Sequence, residues 1–324
     1  MADGGQIVLL EVRLRTVTVE AEGINAYTLE SMPGQSLPSF TAGAHLDLHL
    51  PEGLVRSYSL LNDPSDRDRY LIGVHYDPNS RGGSRYVHEM LREGATLTIG
   101  TPRNSFALHE DAPHSVLIAG GIGITPLLSM VQRLATLGRS WELHYATRTR
   151  ARAAFLPRLA QLAGDQPSRV QLYHDGEPGG RVMDLATLVA GAPAGAHLYC
   201  CGPPPMLDAF ERAAAARPAA QVHVEYFAAR EQAATAGGYE IVMARSGRRV
   251  AVAPGRTMLA ALLDAGAPVS FSCSEGICGT CETRVIAGVP DHRDMFLTEE
   301  ERAANTSVMI CCSGSRTPEL VLDL

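Results

Sequence analysis

The sequence predicts a multidomain protein: an antiparallel β-barrel, then an α/β domain built on a parallel sheet, then a compact cysteine-bearing module. Three observations carry this reading. Residues 1–110 alternate apolar and polar positions in short runs, VRLRTVTVE, HLDLHL and YLIGVHY, punctuated by Pro, Gly, Asn and Asp. A period of two between turns marks antiparallel strands. Residues 111–228 alternate strand-like runs (SVLIAGG, WELHYAT, VQLYHD, HLYCCG) with helix-like stretches (TPLLSMVQRLATLG, PPMLDAFERAAAA), the order of βαβ units on a parallel sheet. Residues 229–238, AREQAATAGG, lack periodicity and end on a Gly pair, so they read as a linker to the module at 239–324.

The 324 residues suit two or three domains at roughly 100–200 residues each. A hydrophobic share of 45% and a charged share of 19% exclude disordered, collagen-like and coiled-coil classes. A net charge of -7 argues against nucleic acid or an anionic membrane as partner. All 28 basic residues are Arg, which excludes a Lys Schiff base and a P-loop lysine. The N-terminal MADGGQIVLLEVRLRTVTVE does not read as a signal peptide, and no apolar run approaches the ~20 residues of a membrane span. A cytoplasmic protein is therefore expected, in which clustered thiols mark metal or redox chemistry.

Five of the seven cysteines fall in the last 52 residues. Cys273, Cys278 and Cys281 stand as C-x4-C-x2-C within FSCSEGICGTC, and 29 residues separate Cys281 from Cys311. This is the spacing of a plant-type [2Fe-2S] site, with three thiolates on one loop and the fourth from a distant segment. The intervening Ser274, Gly276, Gly279 and Thr280 are small enough to let backbone N–H groups approach the sulfurs. A zinc site fits poorly, because zinc usually takes two C-x2-C-like pairs. SVMI reads as a strand that carries Cys311 and Cys312 onto opposite faces; the spacing selects Cys311.

On these residues the last module resembles plant-type ferredoxins. The whole chain resembles the phthalate dioxygenase reductase and vanillate demethylase reductase group, whose order is flavin domain, nicotinamide domain and C-terminal ferredoxin. The resemblance implies an α+β ferredoxin-like (β-grasp) fold for residues 239–324.

Arg56-Ser57-Tyr58-Ser59 is the R-x-Y-S motif of ferredoxin-reductase-like barrels. On a strand Arg56 and Tyr58 share a face, so a cation for phosphate and an aromatic for the flavin or ribityl chain point the same way. The resemblance places the Ser59 hydroxyl near flavin N5 and implies that Gly73, Val74 and His75 lend backbone groups to the isoalloxazine. Arg81, Gly82, Gly83 and Ser84 precede YVHEML and form a phosphate cradle, because amides at a helix N-terminus point at an anion. RGGS resembles the FMN-binding members, with FAD the alternative. By themselves these motifs also fit a half-buried strand and a Gly turn with a Ser cap.

Gly120-Gly121-Ile122-Gly123-Ile124-Thr125-Pro126 lies between the strand SVLIA and an amphipathic helix. Its glycines permit close backbone approach and Pro126 suits the first helical turn, so the helix can receive a pyrophosphate. Cys201-Gly202-Pro203, with Met206 shortly after, ends a second strand, HLYC. Both loops lie at the carboxyl ends of parallel strands, where open α/β sheets bind ligands. By resemblance Thr125 and Cys201 line the nicotinamide pocket, Cys200 points into the sheet, and Phe227 covers the flavin. Glu225 has two equal readings, a polar role near N5 or a solvated charge. The resemblance implies NADH, although Arg148, Arg150 and Arg152 stand where an Arg meets the 2′-phosphate of NADPH.

The resemblance thus implies an NADH-dependent reductase, catalytic residues Ser59, Thr125, Cys201 and Phe227, in which hydride passes to FMN and single electrons pass to the cluster. Its acceptor would be a terminal oxygenase of the Rieske non-haem iron type acting on an aromatic acid, and the chain would be a monomer. The alternatives are a haem monooxygenase or soluble ferredoxin as acceptor, and a non-catalytic iron-sulfur redox sensor. Glu275, Glu282, Asp291, Asp294 and Glu299 to Glu301 offer a docking charge, while Thr298 and Glu301 also suit a capping box.

Overall fold

The computed structural model describes residues 8–78, 82–227 and 229–324. The chain divides into two compact units, one ending at Glu225 and the other running Tyr226–Leu324. In the first, strands β1 (Leu9–Ala21), β2 (Ile24–Ser31), β3 (His45–His49), β4 (Val55–Ser59), β5 (Arg69–His75) and β6 (Thr96–Gly100) form an antiparallel sheet ordered β4-β3-β6-β1-β2-β5. A bridge between Leu60 and Ile72 joins the two ends of this order, closing the sheet on itself. Alternation explains its core: Val12 and Leu14 face inward while Arg13 and Arg15 face water. Register shifts after Leu14 and Val19 bend the long β1, as bulges do. Helix α1 (Gly83–Met90) lays Val87 onto the same interior.

The same unit continues with β7 (Ser115–Gly120), α2 (Ile124–Thr136), β8 (Trp141–Thr147), α3 (Leu156–Ala163), β9 (Val170–His174), α4 (Leu185–Gly191), β10 (His197–Cys201), α5 (Pro204–Ala214) and β11 (Val222–Glu225). The five strands are parallel in the order β11-β10-β7-β8-β9. Every residue of β7 is buried, which explains why SVLIAG reads as continuously apolar: helices cover both faces of a parallel sheet. An apolar cluster runs from Ile24, Leu61 and Leu71 on the barrel side to Leu127, Leu128 and Val131 of α2. Across that seam Ser129 Oγ donates to Asn62 O (2.9 Å) and Gln132 Nε2 to Leu61 O (2.6 Å). Side chains of α2 thereby satisfy barrel backbone groups that the sheet leaves over, and the two sheets share one unit.

In the second unit β12 (Tyr239–Met243), β13 (Arg249–Val252), α6 (Met258–Asp264), β14 (Glu282–Ala287), β15 (Pro290–Asp291), α7 (Glu299–Ala304), β16 (Ser307–Met309), β17 (Gly314–Ser315) and β18 (Glu319–Leu322) build a mixed sheet ordered β13-β12-β18-β14-β16, with β15 and β17 a separate pair. Helix α6, capped by Thr257, packs Met258, Leu259 and Leu262 into the module's core. This is the α+β architecture expected of the last module. Thr298 and Glu301 do form a capping box at α7, worth about 1 kcal/mol at such caps. No helix among the described residues is long and apolar enough to cross a membrane.

Candidate functional site

On the barrel, β4 pairs with β3 so that Arg56 lies beside Leu48 and Tyr58 beside Leu46. Arg56 and Tyr58 share a face, as the strand period requires. The Arg56 side chain runs along the start of α1: a Cβ on Gly83 would meet its Cγ and Nε at 2.7 Å. Gly82 caps the helix at φ 89°, a left-handed conformation that favours glycine. A guanidinium thus lies against a helix N-terminus, and the absent Gly83 side chain leaves room for both, an arrangement that fits a phosphate. Arg81 lies outside the described residues. Ser84 is turned elsewhere, its Oγ accepting from Asp77 N at 3.2 Å. At the far edge of the barrel Val74 packs inward while His75 is exposed. His88 Nε2 bonds Val74 O at 2.9 Å.

The two glycine-bearing loops at the carboxyl ends of β7 and β10 interlock. A Cβ on Gly123 would meet Cys201 O at 2.2 Å, and one on Gly120 would meet Pro203 Cδ at 2.6 Å and Met206 Sδ at 2.8 Å. Gly202 lies against Met206 and Gly120 in the same way. Gly121 adopts φ 55° with open space around it, so its glycine serves the turn and theirs serve close packing. Pro126 sits in the first turn of α2. Thr125 Oγ1 donates to Ile122 O at 2.9 Å. Its Cγ2 faces Gly73 of β5, where a Cβ would come within 2.8 Å. Gly73 therefore lets the barrel edge and the start of α2 touch.

The same meeting point holds a polar trio, with Ser59 and Cys201 buried and Glu225 half-buried. Parallel register sets Cys201 beside Glu225; Cys201 Sγ lies 3.9 Å from Glu225 Oε2, and the Ser59 side chain is close enough to lower the carboxyl's pKa. Burial pushes the Glu225 carboxyl up to about 8, against the opposing effect of those two neighbours. Burial first, and then the nearby Glu225, push the Cys201 thiol well above its usual range. Cys200, on the opposite phase of β10, is fully buried and outside this trio. Arg148 pairs with Asp175 (2.8 Å) and Arg152 with Glu22 (3.3 Å), and Glu177 accepts from Arg150 N.

In the second unit the Cys273 side chain lies close enough to those of Cys278 and Cys311, and that of Cys281 to Cys311, for each thiol to perturb the other's ionisation. Four thiols from two segments thus converge, the donor set of a [2Fe-2S] cluster. Gly276 N donates to Cys311 Sγ at 3.2 Å and Glu275 N to Cys273 Sγ at 3.4 Å. Gly276 and Gly279 have φ of 72° and 75°, and a Cβ on Gly279 would strike the Phe296 ring at 2.3 Å. Cys312 Sγ points to Met309 O and Ser313 Oγ, each 3.8 Å away. The strand expected to carry both cysteines stops at Met309. Cys311 and Cys312 occupy a turn, closed by Cys312 N and Ser313 N donating to Met309 O, so the turn and not strand alternation separates the thiols.

Over all 324 residues the chain is 52% identical to the phenoxybenzoate dioxygenase subunit beta of Ectopseudomonas oleovorans, covering 100% of both. The solved phthalate dioxygenase reductase, described as a modular structure for electron transfer from pyridine nucleotides to [2Fe-2S], aligns at 36% identity and TM-score 0.76 over 98% of each chain. The chain belongs to the phthalate dioxygenase reductase family. The reductase matches the oxidoreductase NAD-binding domain at residues 117–212 and the 2Fe-2S iron-sulfur cluster binding domain at 241–315. It also aligns with 41% of an intact type IV self-sufficient cytochrome P450 monooxygenase, at 40% identity and TM-score 0.84 over 98% of its own length.

One expectation for the reductase needs correction. Asp294 offers no docking charge: it is 1% exposed, and its Oδ2 accepts from Phe296 N and Leu297 N. Asp291 is held by Arg293 and Arg316; Glu282 and the three glutamates of α7 are the exposed members of the acidic set, and Glu275 is half-buried. Phe227 lies in the second unit and is 40% exposed. The half-buried position of Glu225 had no sequence signal beyond its place at a strand end.

That burial makes pH a probe. The unfolded Glu225 ionises near the ordinary 4.5, the folded one near 8, so between these values the folded chain retains a proton that the unfolded chain has released. Stability from this group is present in full below the lower value and is lost as pH rises through about 8. Glu225→Gln stays neutral throughout. Melting profiles from about pH 5 to pH 9 should show the wild type losing stability relative to E225Q; parallel profiles would refute the neutral carboxyl.

Proposed function

We propose that this reductase oxidises NADH, holds FMN on its barrel, and delivers electrons to a Rieske-type terminal oxygenase through the cluster module. The observation that carries the reading is the meeting of Gly73 and Ser59 from the barrel with Thr125, Cys201 and Glu225 from the α/β sheet. When bound, the flavin supplies two-electron acceptance and one-electron release, and the cluster supplies single-electron carriage. Arg56 with Gly82 and Gly83 would hold the flavin phosphate, and Tyr58 on the same strand face would support the ring or ribityl chain. The edge backbone of β5 from Gly73 to His75 would meet the ring. Gly120, Gly121, Gly123, Pro126, Gly202, Pro203 and Met206 would shape the dinucleotide crevice, with Thr125 and Cys201 at the nicotinamide end. Cys273, Cys278, Cys281 and Cys311 would hold the iron.

The chain's own contribution is placement and exclusion of water. Thr125 spends its hydroxyl on Ile122 O and so presents a methyl toward the barrel edge. The protonated Glu225, satisfied by Ser59 and Cys201, brings polar groups to the crevice without a buried charge. Asp175 beside Arg148 favours NADH, since a carboxylate there accepts from a ribose hydroxyl and repels a 2′-phosphate.

The test is direct. Protein as purified should release FMN on denaturation, with kcat/KM for NADH above that for NADPH; FAD in the released fraction, or a ratio favouring NADPH, would overturn those assignments. The aligned P450 chain supports a second reading of the acceptor as a haem monooxygenase. Reduction of a Rieske oxygenase but not of a haem protein, followed in the visible spectrum, separates the two.

A further inference from the structure

At the opposite end of the α/β sheet from the crevice, three histidines meet. His109 comes from the segment between β6 and β7, His197 opens β10, and His223 lies on β11. One ring nitrogen from each falls within 4.8 Å of the others, and His197 Nδ1 stands 3.0 Å from His223 Nε2. Cys201 lies four positions beyond His197 along β10, roughly 13 Å at ~3.3 Å per residue, so the group takes no part in the nicotinamide chemistry.

We propose that His109, His197 and His223 form a binding site for a divalent transition metal of the zinc, nickel or copper class. Imidazole suits these ions, and three protein nitrogens with an open fourth position match their common coordination. Nitrogens bound at about 2.0–2.1 Å in a tetrahedron lie about 3.3–3.4 Å apart; the His197–His223 pair is already close to that. His109 is exposed while the other two are half-buried, its ring already lies against theirs with centroids 4.6 and 5.0 Å away, and the remaining coordination position opens to water. The surroundings hold the ligands in place. Tyr199 stacks on His223 with centroids 4.5 Å apart and planes at 15°. Tyr199 OH also accepts from His109 N at 2.9 Å, anchoring the segment that brings His109 in. Such outer contacts are what orient metal-ligating imidazoles. A metal here would tie the barrel-to-sheet connection to β10 and the edge strand β11.

The experiment uses the tag-free holoprotein, with its cofactors bound, dialysed against Ni2+ at about pH 7.5. Expected are one tight Ni2+ per chain and a rise in melting temperature, since an ion that binds only the folded state stabilises it. His109→Ala removes an exposed ligand together with its ring contacts to His197 and His223 and should weaken Ni2+ binding at least about tenfold, the loss that even an outer contact brings. It should also abolish the thermal shift, while NADH oxidation with ferricyanide stays at the wild-type rate. His114→Ala, whose ring bonds Ser140 Oγ, serves as the control and should bind as the wild type does. Absence of a tight site in the wild type, or equal binding by His109→Ala and wild type, would overturn the proposal.

Discussion

Cys311→Ser should purify without its iron and without the visible absorption of the cluster, while Cys312→Ser should keep both. Cys311 Sγ receives the Gly276 amide at 3.2 Å and neighbours Cys273 and Cys281. Serine places a harder, far less acidic ligand at the point that closes the cage. Cys312 is 1% exposed and directs its sulfur at Met309 O and Ser313 Oγ, so a hydroxyl there replaces one weak polar group with another. In Cys311→Ser, reduction of ferricyanide by NADH should persist, because the first unit contains neither cysteine, and electron delivery to the oxygenase should cease. Iron analysis and absorption spectra of the two variants decide it; retained iron in Cys311→Ser with loss in Cys312→Ser would reassign the fourth ligand.

Gly123→Ala should cut NADH-dependent ferricyanide reduction about 100-fold or more, the scale on which a displacement near 1 Å disturbs a bound donor. Gly123 has an ordinary φ of -61°, so its backbone tolerates alanine. The obstacle is steric: a Cβ would stand 2.2 Å from Cys201 O and 2.9 Å from Gly202 N. Those atoms are main chain at the end of β10 and cannot rotate away, so the two nicotinamide loops must part. Overpacking of this kind costs about 1–3 kcal/mol, which a domain of this size survives. Flavin content should therefore remain at the wild-type level while kcat/KM for NADH falls. An unchanged kcat/KM would show that the interlocked loops do not position the dinucleotide.

Much of the site was legible because local chemistry repeats at short range. C-x4-C-x2-C specifies its own loop, R-x-Y-S its own strand face, and GGIG its own strand-to-helix turn, each within about ten residues. Glu225 was not legible: its neighbours VHVEYF are the same whether the carboxyl meets water or Ser59 and Cys201. The histidine group was equally silent, since its members stand at 109, 197 and 223 with no motif between them. The acidic residues failed in the other direction. Asp294 looks like surface charge in sequence, yet it caps backbone amides inside its module.

The sequence by itself determined the order of the three architectures, the glycine loops and the thiol spacing, because hydrophobic period, turn chemistry and ligand count act between near neighbours along the chain. Only the tertiary structure decided that a turn and not a strand parts Cys311 from Cys312, how closely GGIG and CGP interlock, and that Glu225 is half-buried and neutral. Each of these depends on segments tens to hundreds of residues apart being brought within a few ångströms, and on the desolvation that follows. Packing of that kind has no local signature, since the same side chain costs nothing in water and is held protonated once water is removed.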